Sequence, residues 1–214
     1  MAAVTDADGA LEIHPLTPER LPDLAALFAE GGDPKRCWCA FFRVRNADIV
    51  HWDAESNRAV LERAVETTGA EGRSPGLVAY RDDAAVGWVS IGPRDDYARL
   101  QASKVLAPLD DKPVWSIVCF VVSRRVRRQG VARALLDAAI GYAREHGATL
   151  LEAYPVETHG ERMPSANVFK GTLAMFERAG FGVVERRQFS ATTPVHPIVR
   201  RAVRRVRARR AQTT

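Results

Sequence analysis

Apolar positions along this chain switch between a period of two and a helical period, and each switch marks an element. Residues 11–16 alternate as a short strand. Thr17, Pro18 and Glu19 then supply a cap, a proline at the first helical position and an acid in the first turn. Leu21, Leu24, Leu27 and Phe28 follow on one face of a helix that runs to about Glu30. Gly31, Gly32, Asp33 and Pro34 end it. Cys37 to Phe42 is a dense apolar and aromatic cluster, and residues 57–68 read as a second helix. Residues 76–80 and 85–91 read as two strands of a hairpin that turns at 81–84. Residues 92–113 carry no period and predict a long loop, which in a compact domain is usually functional or mobile.

The second half alternates more regularly. The pattern predicts a strand at 114–122, a helix at 130–146, a strand at 148–155, a loop at 156–166, a helix at 168–179 and a strand at 182–190. Val118 to Val122 is an unbroken apolar run, as a strand covered on both faces requires. Val131, Leu135, Ala138, Ala139 and Tyr142 recur at helical spacing, and Gly147 stops that helix. Between strand and helix lies a basic turn, Arg127, Arg128, Gln129, Gly130, Val131, Ala132 and Arg133. The first N–H groups of a helix lack intrahelical partners and converge on one spot, and the helix dipole favours negative charge there. With arginines beside it, such a turn suits a phosphate. Taken alone, the same arginines also fit a solvated basic turn. There is no GxxxxGK[ST] and no GxGxxG followed by an acid, so neither a P-loop nor a dinucleotide fingerprint is present.

Arg127, Gly130 and Ala132 form R-x-x-G-x-A. In this setting it resembles motif A of the GNAT superfamily, the acyl-CoA-dependent N-acetyltransferases. Phe120 and Val122 stand where that family has the apolar pair ending its fourth strand. Ala134, Leu135 and Leu136 stand where its helix is apolar. Met175 to Phe181 is similar to the second family signature, an aromatic shortly before a Gly-Phe pair that opens the next strand. The resemblance covers roughly residues 10–190. It implies an α/β (α+β) fold with a central, mixed, mostly antiparallel sheet, flanking helices, and fourth and fifth strands that splay apart around the donor's pantetheine arm.

The resemblance also implies acetyl-CoA as acyl donor. Backbone N–H groups of residues 128–133 would hold its pyrophosphate, with charge from Arg127 and Arg128. Phe120 and Val122 would offer their main chain to the pantetheine amides, with Val121 between them in the cofactor-binding stretch. Asn167 matches a cofactor-contacting asparagine of the family, though its spacing to Phe176 is longer than usual, and it reads equally as a helix N-cap. The family's usual acid, a tyrosine in the last helix, is replaced by Phe176, which has no proton to give. The substitute candidates are Glu152 and Tyr154, which share one face of the fifth strand and so are expected to face the cleft. Glu152 also reads as a surface acid, and Tyr154 as a core-edge aromatic. Trp38, Phe41 and Phe42 are expected acceptor contacts, because the segment between the first two helices often walls the acceptor site in this fold. Cys37, Cys39 and Cys119 make a poor zinc set, so no metal is expected and packed thiols are.

Composition narrows the setting. The chain has 214 residues, 46% hydrophobic and 27% charged, as a globular domain has. No apolar run is long enough to span a bilayer. With an odd cysteine count and no signal peptide, a cytoplasmic location is expected. The net charge of +5 comes from seven arginines in residues 191–214, and the remainder stands near −2. The expected organisation is a flexible N-terminus at 1–9, the acetyltransferase domain at 10–190 and an arginine-rich tail at 191–214. Val199, Val203 and Val206 on one stripe leave three readings of that tail: a docked helix, a disordered tail, or a binder of nucleic acid or an anionic membrane. The function expected is acetyl transfer to a small-molecule or protein amine by direct attack in a ternary complex. The alternative is an inactive CoA-binding sensor or a regulator that meets nucleic acid through the tail. A homodimer stays open.

Overall fold

The computed structural model describes residues 11–49, 51–161, 163–188, 190 and 195–204. The strands are Glu12–Pro15 (β1), Gly76–Arg81 (β2), Ala84–Pro93 (β3), Trp115–Val122 (β4), Leu150–Ala153 (β5), Gly182–Arg187 (β6) and His196–Ala202 (β7). They form one sheet in the order β1-β2-β3-β4-β5-β7-β6. Every neighbouring pair is antiparallel except β4 and β5. The helices are Leu21–Ala29 (α1), Pro34–Cys37 (α2), Ala54–Ala70 (α3), Ala98–Ala102 (α4), Val131–Glu145 (α5) and Leu173–Arg178 (α6).

The sheet separates two apolar layers. On one side α5 and α6 pack Val131, Leu135, Leu136, Ala139, Leu173 and Phe176 against Val89, Ile117, Phe120, Leu151 and Val199. On the other, α1 and α3 bring Leu24, Leu27, Phe28, Leu61 and Val65 onto Trp88, Val118, Cys119, Tyr154 and Ile198. Leu135 and Leu136 are fully buried, and each such side chain contributes roughly 2 kcal/mol. The continuous apolar run of β4 follows from this sandwiching.

Two irregularities shape the centre of the sheet. The β3–β4 register shifts after Ser90, which pairs with Cys119, while Ile91 pairs with Ile117. Val118 is therefore the extra residue of a bulge, and Val118 and Cys119 both face the α1–α3 layer. Secondly, β4 and β5 pair only at Trp115 with Leu151, Ser116 with Glu152 and Ile117 with Ala153. Beyond that point the strands part and leave a wedge, the splay expected of this architecture.

Several expectations change. The stretch containing Val199 is a strand, not a helical stripe or a free tail: β7 lies between β5 and β6. Ile198 and Val199 are consecutive and buried in opposite layers, as an interior strand demands. The sheet therefore extends past the expected boundary at 190, and the remaining valine, Val206, lies outside the described residues. The expected helix 168–179 begins only at Leu173. Gly171 takes φ +81, and Thr172 caps α6 by accepting from the Met175 N–H. Asn167 consequently belongs to a short 3-10 turn, Ser165–Asn167, and is not the N-cap. The expected loop 92–113 contains a 3-10 turn, Arg94–Asp96, as well as α4. Among the described residues no helix is long and apolar enough to cross a membrane.

Candidate functional site

The basic turn after β4 folds as a cradle. Arg128 takes φ +66 and Gly130, the N-cap of α5, takes φ +79. That conformation is the one glycine adopts at no steric cost. A Cβ placed on Gly130 would meet nothing within 4 Å, so the space before the helix is open. No side chain caps α5 at Gly130. Its first N–H groups are thus left to an external acceptor. Arg124, Arg127 and Arg128 are exposed, and among the described residues no acid pairs with them. Arg133 does pair, with Asp137 at 2.8 Å. Gln129 is held from a second element, since Arg81 at the end of β2 donates to its side-chain oxygen at 2.5 Å. Val131 faces the core, and Ala132 is half-buried behind it. This charge and geometry fit a pyrophosphate.

The wedge next to the cradle is not empty of chain. The Phe120 N–H on the parted edge of β4 donates to the Phe169 carbonyl at 2.6 Å. On the opposite wall the Val156 N–H donates to Gly171 and the Leu173 N–H to Val156, both at 2.9 Å. Residues 168–172 thus bridge the wedge from both sides. The expectation that Phe120 presents a free main-chain donor is corrected: the donor is directed into the wedge but already paired. Val122 keeps its carbonyl near Arg127 Nε at 3.4 Å, while Val121 turns toward the α1–α3 layer. Asn167 is exposed on the loop that leads into the bridge.

Glu152 and Tyr154 do share a face, but they do not line an open cleft. Both are buried, with 1% and 0% of their surface exposed. Tyr154 donates its hydroxyl to Glu152 Oε1 at 2.6 Å, and Arg94 Nη1 donates to the same oxygen at 3.0 Å. Arg200 Nε donates to Glu152 Oε2 at 2.7 Å and its Nη1 to Asp110 at 2.8 Å. Ser116 Oγ lies 3.1 Å from the Tyr154 hydroxyl. Burial and the neighbouring Glu152 charge push the Tyr154 phenol up. The Arg200 hydrogen bond pulls Asp110 down to about 2. Every oxygen of Glu152 therefore already faces a donor, and the Tyr154 proton points at Glu152. Two guanidinium groups, the buried Arg94 and the half-buried Arg200, account for this, and only the fold brings them here from the turn after β3 and from β7.

The aromatic residues split. Trp38 packs into the core edge-on against Phe28, with centroids 5.4 Å apart. Phe41 is 39% exposed and meets Phe169 at 6.0 Å, and Phe42 meets Phe169 at 6.3 Å and Tyr154 at 6.5 Å. Phe41 and Phe42 thus stand at the mouth of the wedge, and Trp38 does not. Behind them Cys39 Sγ lies 2.8 Å from Cys119 Sγ, both buried, and burial pushes the Cys39 thiol well up. Phe176, the residue in the family's tyrosine position, is fully buried against Phe120 and Phe181.

The periodicity does not single out Arg94, Phe169 or Lys170. Lys170 adjoins Phe169 in the bridge, with Nζ 3.4 Å from His196 Nδ1, and burial lowers it to about 8. One signal for this segment is in the sequence: Gly171 followed by Thr172 is a break and a cap, which leaves 168–170 outside the helix. A separate open depression of about 470 Å³, lined by Glu12, His14, Arg20, Asp23, Tyr80, Asp82 and Asp83, lies on β1 and β2, away from β5 in the strand order.

Comparison with known proteins bears on the family and the fold. The model of the acetyltransferase (GNAT) family matches residues 36–181. A ribosomal-protein-alanine N-acetyltransferase from Brucella melitensis superposes with a TM-score of 0.54 at 22% identity, over 90% of this chain and 99% of that one. A candidate acetyltransferase from Salmonella typhimurium, solved with its cofactor acetyl-CoA, gives 0.54 at 16% identity over 92% and 96%. A GNAT-family acetyltransferase from Streptococcus agalactiae gives 0.54 at 11% identity over 91% and 96%. At these identities the likeness is one of fold. No curated protein matches the chain in sequence.

Proposed function

The chain belongs to the acetyltransferase (GNAT) family, and on that premise we propose that it moves an acetyl group from acetyl-CoA to an amine by direct attack in a ternary complex. The observation that carries this is the cradle: an open, left-handed Gly130 at the uncapped N-terminus of a 15-residue helix, beside exposed arginines. The N–H groups of residues 128–133 would hold the pyrophosphate, with Arg127 and Arg128 adding charge. Once free of Phe169, the Phe120 N–H would pair with an amide of the pantetheine arm, and Val121 and Val122 would flank that arm. Phe41 and Phe42 would wall the acceptor. In the reaction the amine nitrogen bonds to the carbonyl carbon and loses a proton. The carbon–sulfur bond breaks, and the CoA sulfur leaves as thiolate or thiol.

Proton transfer is assigned to solvent rather than to Glu152 or Tyr154, because both are spent in the buried network. Holding amine and thioester together supplies much of the rate by itself. The acceptor class is a small-molecule or protein amine, and the proposed location is the cytoplasm. Arg200 and Arg201 are not free for nucleic acid: the first pairs with Glu152 and Asp110, and the second donates to the Ala179 carbonyl.

A second reading is supported by one observation. Phe176 and Tyr154, at the positions where an acid would be sought, are sealed in the core, which fits a protein that holds CoA without turning it over. Calorimetric titration with acetyl-CoA, CoA and ATP, alongside Gly130→Glu, tests the cofactor. Binding of both CoA species, weaker ATP binding and loss in the variant are expected; no CoA binding, either to the native chain or to Phe169→Ala, would sink the proposal. Thiol release across an amine panel, above the Gly130→Glu background, then separates enzyme from binder.

A further inference from the structure

The wedge between β4 and β5 is closed by the protein's own chain, and the closure uses the groups a pantetheine arm would need. Phe120 gives its N–H to Phe169, and Val156 exchanges two bonds with Gly171 and Leu173. A pantetheine arm carries amides, so it would compete with this peptide segment for the same main-chain donor on β4. We propose that residues 168–172 are an intramolecular plug that holds the donor channel shut and swings out when acetyl-CoA binds. This rests on the acetyl-CoA reading given above.

The geometry suits a removable plug better than a fixed wall. The segment has strand-like bonds to both walls but too few to form a sheet strand, since Val156 and Thr172 make only an isolated bridge. Its anchor is one ring: Phe169 packs on Phe41, which is itself 39% exposed, and on Phe42. Near its C-terminal end Gly171 takes φ +81, and an added Cβ there would stand 2.7 Å from Met175 and 2.8 Å from Phe176, so only glycine fits the turn that leads the plug into α6. Lys170 rides on the plug, and its burial beside His196 is a further group that release would return to water. The cradle at Gly130 is open in the same structure, so the phosphate end can dock before the arm displaces the plug.

A shut channel lowers the apparent affinity by the fraction of molecules that are open, so loosening the anchor raises it. The test is amide hydrogen exchange with CoA as probe, read together with CoA binding to Phe169→Ala and Phe41→Ala. The second variant lies at an exposed position and covers the case in which the first does not fold. Expected are protection gained at residues 130–133, protection lost at Val156 and Leu173, and CoA binding about tenfold tighter in either variant. Binding by the variants where the native chain binds none would be the same result in a stronger form. If CoA protects 130–133 while Val156 and Leu173 stay protected and the variants bind no tighter, the plug is refuted and the cofactor reading stands. If neither the native chain nor the variants bind CoA, the cofactor reading fails and the plug falls with it.

Discussion

Arg94 and Glu152 stand 58 residues apart in the chain and meet at 3.0 Å in the interior, both buried. Arg200 takes the other carboxylate oxygen at 2.7 Å, so one acid faces two guanidinium groups. The cluster joins the turn after β3 to β5 and β7 at the point where β4 and β5 still pair, just before they part. It fixes the closed end of the wedge.

Glu152→Gln leaves the buried Arg94 without its counter-charge and Arg200 with Asp110 alone. Breaking such a pair costs about 3 kcal/mol. The urea midpoint is expected to fall with an unchanged slope. Acetyl transfer measured well below the melting point should stay within about threefold of native. A drop of about a thousandfold in a folded variant would instead identify Glu152 as the general base.

Gly130→Ala and Gly130→Glu should part company. Both place a side chain at φ +79, at a cost of about 1 kcal/mol, and the Cβ they share meets nothing within 4 Å. Only glutamate adds a negative charge where the anion would sit. CoA affinity is expected to fall roughly 100-fold or more in the glutamate variant and far less in the alanine one, read by calorimetry. Equal losses would mean that the turn's shape, not its charge, governs binding.

Lys170 gives a pH signature. Burial lowers it to about 8 from its usual 10.5, so between those values the unfolded chain binds more protons than the folded one. Stability must therefore rise with pH through that window, and below about 8 the cost of burying the charge is present in full. Lys170→Met is expected to melt higher than native at pH 7, with the gap closing toward pH 10.5. A constant gap across that range would show that the lysine is not buried as a cation.

Thiol reactivity reports the packing of the sulfur pair. The thiolate is the reactive form, and burial raises the Cys39 thiol well above its usual range. Cys39 and Cys119 should be silent to a disulfide reagent at pH 8 in the native protein. All three cysteines should react once denaturant is added. Rapid native labelling of Cys119 would mean that the β4 edge opens far more often than its buried contacts suggest.

The legible parts of this protein are those whose signal is local. The β2–β3 hairpin, α3 and the β4–turn–α5 unit follow from apolar period, caps and the Gly130 turn, and the structure has them within a few residues. The aromatic cluster was legible as packing, but not its division, in which Trp38 faces Phe28 and Phe41 faces Phe169. Glu152 and Tyr154 were legible as a shared face, yet alternation cannot say whether a face meets water or two arginines.

By itself the sequence determined the β2–β3 hairpin, the covered β4 strand and the glycine turn that opens α5, because hydrogen bonding and side-chain period within a few residues decide those. Tertiary structure alone decided that residues 196–202 enter the sheet between β5 and β6, that Arg94 and Arg200 converge on Glu152, and that Phe169 takes the Phe120 N–H. Each of these joins segments far apart in the chain. Such contacts leave no period to read, since the partner that satisfies a buried charge or an open strand edge exists only once the chain has closed around it.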